Sequence, residues 1–147
     1  MQALTASGIK AAKLDSTLKQ RERTAIYADL ECGHPALRLL YVTPELCATD
    51  AFRRRLAVVH KQGELNRIVL DEAHCISEWG HDFRPAFKKL AWFKRELEGV
   101  PVMAVTATAT ERVRDDVVES LGMAEGVKMF LLATTSKSVS LGRRRAS

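Results

Sequence analysis

Asp71, Glu72, Ala73 and His74 follow directly on a short apolar run, Arg67 to Leu70 (RIVL). In an open parallel sheet, ligands bind beyond the carboxyl ends of the strands, so acids at the end of such a run have a chemistry available to them. The first carboxylate can hold Mg²⁺ through its waters, and the second can orient or deprotonate an attacking water, as a nucleotide hydrolase requires. A solvated acidic strand end is the alternative reading of the same four residues. Directly downstream lies an irregular segment with two aromatics, SEWGHDFRP, from Ser77 to Pro85.

The elements that must position these residues alternate in type, which predicts α/β architecture with a parallel sheet. Leu4 to Ser7 reads as a helix end with Gly8 as its stop, and Ile9 to Leu14 as a strand. Ser16 or Thr17 can cap a helix that runs to about Leu30, with Leu18, Ala25, Ile26 and Leu30 near one face. Leu37 to Val42 is a strand, Thr49 to His60 a helix that buries Phe52, Leu56 and Val59, and Arg67 to Leu70 a strand. A helix is expected over Pro85 to Leu97, with Trp92 and Phe93 as packing residues. A strand over Val100 to Val105 and a helix over Glu111 to Leu121 complete the series, the latter with Val113, Val117, Val118 and Leu121 on one side.

Composition narrows the classes. The chain has 147 residues, 46% hydrophobic and 28% charged, enough to bury a core. No apolar stretch approaches the roughly 18 to 20 residues of a membrane span, and the N-terminus has no basic-then-apolar leader pattern. Cys32, Cys47 and Cys75 are odd in number and lack CxxC spacing, so neither a disulfide framework nor a zinc knuckle is expected, and a reducing compartment is the simpler reading. The net charge is +5. From Gly122 onward five basic residues face only Glu125, so most of that charge belongs to the end of the chain and does not by itself make the body a nucleic-acid binder.

DEAHCISEWGHDFRP, Asp71 to Pro85, resembles motif II and the aromatic-rich loop of RecQ-family DNA helicases. Thr43 to Glu45 (TPE) resembles the family's motif Ib, Val105 to Thr110 (VTATAT) its motif III, and Ala3 to Thr17 the stretch after motif Ia. The likeness spans Met1 to Met123, and 124–147 are expected to form a flexible basic tail. It implies part of the first RecA-like lobe of a P-loop NTPase, acting as an ATP-dependent 3′ to 5′ DNA helicase with ATP and Mg²⁺ as cofactors. Single-stranded or forked DNA and the remaining helicase lobe and domains are the implied partners. The implied location is the nucleus in a eukaryote, or the cytoplasm and nucleoid in a bacterium.

By the same resemblance, Asp71 is the Mg²⁺-coordinating acid, Glu72 the catalytic carboxylate and His74 the link from the nucleotide site to the moving parts. Trp79, His81, Phe83 and Arg84 sense single-stranded DNA; Thr106 and Thr108 link hydrolysis to strand separation; Thr43 and Glu45 lie along the DNA backbone. Physically, Trp79 and Phe83 offer π faces worth about 1–3 kcal/mol per stacked base, and Arg84 adds a phosphate or stacking contact. Each residue has a plainer alternative: core burial for the aromatics, a structural cap for His74, and helix capping for Thr106 and Thr108.

Departures from the family also matter. No Gly is followed by Lys, so the G-x-x-x-x-G-K-[ST] phosphate loop is not in this sequence. In the family that loop lies upstream of the matched stretch, so the chain is expected to represent an N-terminally truncated lobe that hydrolyses ATP negligibly by itself. A catalytically inactive nucleic-acid or partner-binding module is the second reading. Glu78 stands where the family usually has Gln, adding a negative charge beside the loop. The terminal RRRAS reads as a solvated charge run, with a phosphorylation site or nuclear-import patch as alternatives.

Overall fold

A computed structural model describes residues 6–80, 82–107, 110–123 and 127–130. Two pairs of parallel strands organise these residues. β1 (Ala11–Leu14) pairs with β2 (Leu39–Val42) in the register Ala11 to Leu39 through Leu14 to Val42. β3 (Ile68–Leu70) pairs with β4 (Val102–Ala104), Ile68 opposite Val102 and Leu70 opposite Ala104. Parallel neighbours need long crossovers, and helices supply them, as the alternation of elements predicts.

The first crossover carries α1 (Gln20–Leu30). Ser16 and Thr17 do not cap it; the N-cap is Lys19, whose N–H donates to the Glu22 carboxylate at 3.2 Å. Thr17 is instead held by Asp15, which accepts from its N–H and its hydroxyl at 2.9 and 2.6 Å. At the far end, the Asp29 carboxylate accepts from the N–H groups of Ala36 and Leu37, which fixes the entry into β2.

α2 (Pro44–Cys47) is a single turn not foreseen in the sequence, capped by Thr43. α3 (Asp50–Lys61) is capped by Thr49 and buries Phe52 and Val59, with Leu56 partly buried against the core, as the spacing predicts. The helix expected from Pro85 to Leu97 is broken: α4 (Pro85–Lys88), a 3₁₀ turn (Lys89–Ala91) and α5 (Trp92–Glu96) replace it. Phe87, Leu90, Trp92, Phe93 and Leu97 are all buried, a set too wide for one face of a straight α-helix. The tighter 3₁₀ turn rotates the chain so that all five reach the core. Trp92, the largest of them, donates its indole N–H to the Cys47 carbonyl at 3.2 Å. α6 (Glu111–Ser120) is capped by Thr110, not by Thr106, and buries Val113 and Val117.

One face of the strands packs on this core, while the other carries Leu39, Tyr41, Val69 and Met103 exposed to solvent. None of the helices is long and apolar enough to cross a membrane, among the described residues.

Candidate functional site

β3 ends at Leu70, and the chain beyond β4 runs on to hold the acidic turn in place. Val105 donates its N–H to the Leu70 carbonyl at 2.8 Å and accepts from the Ala73 N–H at 2.9 Å. Between these two bonds the chain must turn within two residues. Glu72 makes the turn in the left-handed region (φ 51°, ψ 41°), the single non-glycine residue with positive φ among those described. A 3₁₀ turn over Ala73–Ile76 then buries Ala73, Cys75 and Ile76 and leaves both carboxylates exposed.

The Asp71 carboxylate accepts from the Glu72 N–H at 2.9 Å. His74, its side chain 18% exposed, has Nδ1 at 2.9 Å from the Thr106 hydroxyl and 3.3 Å from the Glu72 carboxylate. The imidazole thus bridges the acid that could act on water and the segment expected to move with it. Nδ1 accepts from the Thr106 hydroxyl when it is the bare ring nitrogen and donates when it carries the proton, so the direction of this bond is set by the tautomer.

The aromatic segment is bolted to the same turn. The Ser77 N–H donates to the His74 carbonyl and the Gly80 N–H to the Ser77 carbonyl, both at 3.1 Å. Ser77 is fully buried, its hydroxyl accepting from the Trp79 N–H at 3.1 Å. Gly80 is required by proximity: a Cβ there would lie 2.7 Å from the His74 carbonyl oxygen. The Arg84 N–H donates to the Cys75 carbonyl at 2.9 Å, closing the loop at its other end.

From this frame Trp79 stands 61% exposed and Phe83 36%, so neither is a core aromatic. Lys88 lies 5.4 Å from the Phe83 ring centroid and pairs with Glu78 at 2.7 Å, which offsets the negative charge that Glu78 adds. The same pair raises the Lys88 pKa. Arg84 binds Asp82 at 2.8 Å and holds its carboxyl below the usual range. The Cys75 thiol, donating to Asp82 at 3.8 Å, is pushed up by burial and then by that carboxylate, so it stays protonated.

The sequence-predicted residues fall into connected groups. Asp71, Glu72, His74 and Thr106 meet at the end of β3; Trp79, Phe83 and Arg84 share the loop immediately downstream. Thr43 uses its hydroxyl to accept from the Leu46 N–H at 3.4 Å, and Glu45 is exposed on α2, where its charge acts on Arg84. α2 packs on α4, which brings this group beside the loop. His81 and Thr108 lie outside the described residues. Sequence reasoning passed over Arg112, whose guanidinium stacks on Trp79, because nothing in the spacing joins positions 79 and 112.

No three His, Cys, Asp or Glu side chains converge on a metal position among the described residues. The exposed carboxylates of Asp71 and Glu72 at the end of β3 are oxygen donors of the kind Mg²⁺ takes, one or two at a time beside its waters and substrate oxygens.

Residues 1–117 match the family model described as DEAD/DEAH box helicase. The chain is 43% identical over 129 residues to the Arabidopsis thaliana ATP-dependent DNA helicase Q-like 2, covering 87% of this chain and 18% of that protein. It is 40% identical over 126 residues to the Xenopus laevis RecQ-like DNA helicase BLM, 85% of this chain and 9% of that one. With the Saccharomyces cerevisiae ATP-dependent helicase SGS1 it shares 48% identity over 92 residues, 62% of this chain and 6% of the relative. The chain therefore spans less than a fifth of the length of these relatives.

Proposed function

The chain belongs to the DEAD/DEAH box helicase family, with RecQ-type relatives, and from that membership we propose that it supplies the acidic half of an ATPase site and a DNA-sensing loop to a RecQ-type 3′ to 5′ DNA helicase. On this reading residues 1–123 form part of the first RecA-like lobe. The observation that carries it is the His74 to Thr106 hydrogen bond, which joins the acidic strand end to the segment leading into α6 while the Trp79–Arg84 loop hangs from the same turn.

Asp71 is the residue that would hold Mg²⁺ through water, and the ion would neutralise charge on the phosphates of ATP. Glu72, turned outward by its left-handed backbone, orients the attacking water and takes its proton. His74 senses the state of Glu72 and, through Thr106, transmits it to α6. Trp79 and Phe83 stack on bases of a single strand, Arg84 contacts the backbone, and Thr43 and Glu45 flank the strand beside them. DNA with a single-stranded or forked end is the substrate, and a nucleus is the location that fits the eukaryotic relatives.

The test is single-strand-stimulated ATP turnover by the helicase that contains these residues. Glu72→Gln is expected to lower kcat by about 10²- to 10⁴-fold, the range for a general base, with DNA affinity retained. A turnover within tenfold of the parent would sink the assignment. Since no G-x-x-x-x-G-K-[ST] pattern lies within these 147 residues, ATP turnover by this polypeptide alone should not exceed that of its own Glu72→Gln variant.

A further inference from the structure

α6 sends Arg112 back over the aromatic loop, with its guanidinium carbon 3.4 Å from the centroid of the Trp79 ring. The indole is still 61% exposed even with the guanidinium over its ring. Other cations stacked on aromatic rings here also have a carboxylate partner. Arg53 on Trp92 pairs with Glu96 and Asp50, Arg55 on Tyr27 with Glu31, and Lys88 on Phe83 with Glu78. The Arg112 side chain makes no ion pair or hydrogen bond among the described residues, and the indole is its one described side-chain partner. An unneutralised cation therefore sits behind an aromatic face, beside the loop proposed to meet DNA.

The contact also closes a circuit. His74 is joined sideways to Thr106 and forward, through Ser77, to Trp79. Thr106 leads into the α6 cap at Thr110, and Arg112 two residues later returns to Trp79. A base stacked on Trp79 is thus one ring away from the helix that carries the Thr106 segment. Deepening the proposed function and resting on it, we infer that Arg112 is a positioning residue: it holds the Trp79 indole with one face presented to a nucleobase and carries that face's occupancy into α6.

Two measurements on the full chain test this. Without DNA, acrylamide quenching of tryptophan emission reports mainly Trp79, because Trp92 is only 1% exposed. Arg112→Ala should raise that quenching and Arg112→Lys should restore most of the protection; an unchanged quenching profile in Arg112→Ala overturns the inference. With fluorescently labelled oligothymidylate, Arg112→Ala should weaken binding about three- to tenfold, the span of a partly desolvated cation–π contact, and should lose most of that effect in a Trp79→Ala background. An equal loss in both backgrounds would mark Arg112 as a plain phosphate contact and refute positioning. If Trp79→Ala itself leaves affinity unchanged, or the chain does not bind the oligonucleotide, the loop assignment under the proposed function fails. If Trp79→Ala weakens binding and Arg112→Ala does not, only the role of Arg112 fails.

Discussion

Gly80→Ala isolates the contact that couples the aromatic loop to the DEAH turn. The added Cβ would sit 2.7 Å from the His74 carbonyl oxygen and 3.2 Å from that of Ser77. A carbon and a carbonyl oxygen ordinarily stand at least about 3.3 Å apart, so the loop must back away by roughly 0.6 Å. The His74 carbonyl cannot yield easily, because it accepts from the Ser77 N–H within a buried turn. Overpacking of this kind costs about 1–3 kcal/mol. The reduced freedom of the unfolded chain returns about 0.4–1 kcal/mol, leaving a net loss of about 1–2 kcal/mol. For a domain of this size that is a fall in Tm of about 2–8 °C. The assay is a thermal melt of parent and variant beside Gly99→Ala. Gly99 has φ +79° but nothing within 4 Å of its added Cβ, so it samples backbone strain without the clash. Both variants should melt early, but only Gly80→Ala should also change Trp79 emission and single-strand affinity. A Gly80→Ala protein melting within 1 °C of the parent, with its emission unaltered, would refute the proposed coupling.

Thiol labelling and acid titration probe the same region more cheaply. Under native conditions Cys32 is exposed and should react with iodoacetamide promptly, whereas Cys47, pushed up to about 12 by burial, and Cys75 should react only as the protein unfolds. Mass spectrometry that finds Cys75 modified as fast as Cys32 would contradict the packing of the turn. Arg84 lowers the Asp82 carboxyl, so the stabilisation from that pair is present above the ordinary carboxylate pKa and lost as pH falls through the lower folded value. Carbon-detected NMR should give Asp82 a midpoint below about 3.9, moved upward by Arg84→Gln; a midpoint at or above that value rejects the pair.

Apolar runs located the strands, and periodicity located helices α3 and α6, whose burial obeys a simple pattern: Phe52 and Val59 on α3, Val113 and Val117 on α6. It failed between Pro85 and Leu97, where apolar residues crowd too closely for any single period and the chain answers with a 3₁₀ turn. The capping of α1 was misread because Asp15 competes for Thr17, a local bond that residue types do not rank. For the site, DEAH and the loop were visible as contiguous letters, and their likeness to a family singled out Thr106 as a linking residue, while its contact with His74 comes from the fold. Arg112 was out of reach, since its partner lies thirty-three positions away and only the packing of α6 on the Ala73–Ile76 turn brings the two together.

On the role proposed for Glu72, its backbone is where stability and activity diverge. Holding a side-chain-bearing residue in the left-handed region costs about 1–2 kcal/mol, and Asn or Gly would occupy the same turn with less strain. Selection for thermal endurance alone would thus tend to remove glutamate from this position. On that proposed role the strained backbone is what turns a carboxylate outward, and stabilising designs should leave this residue unoptimised.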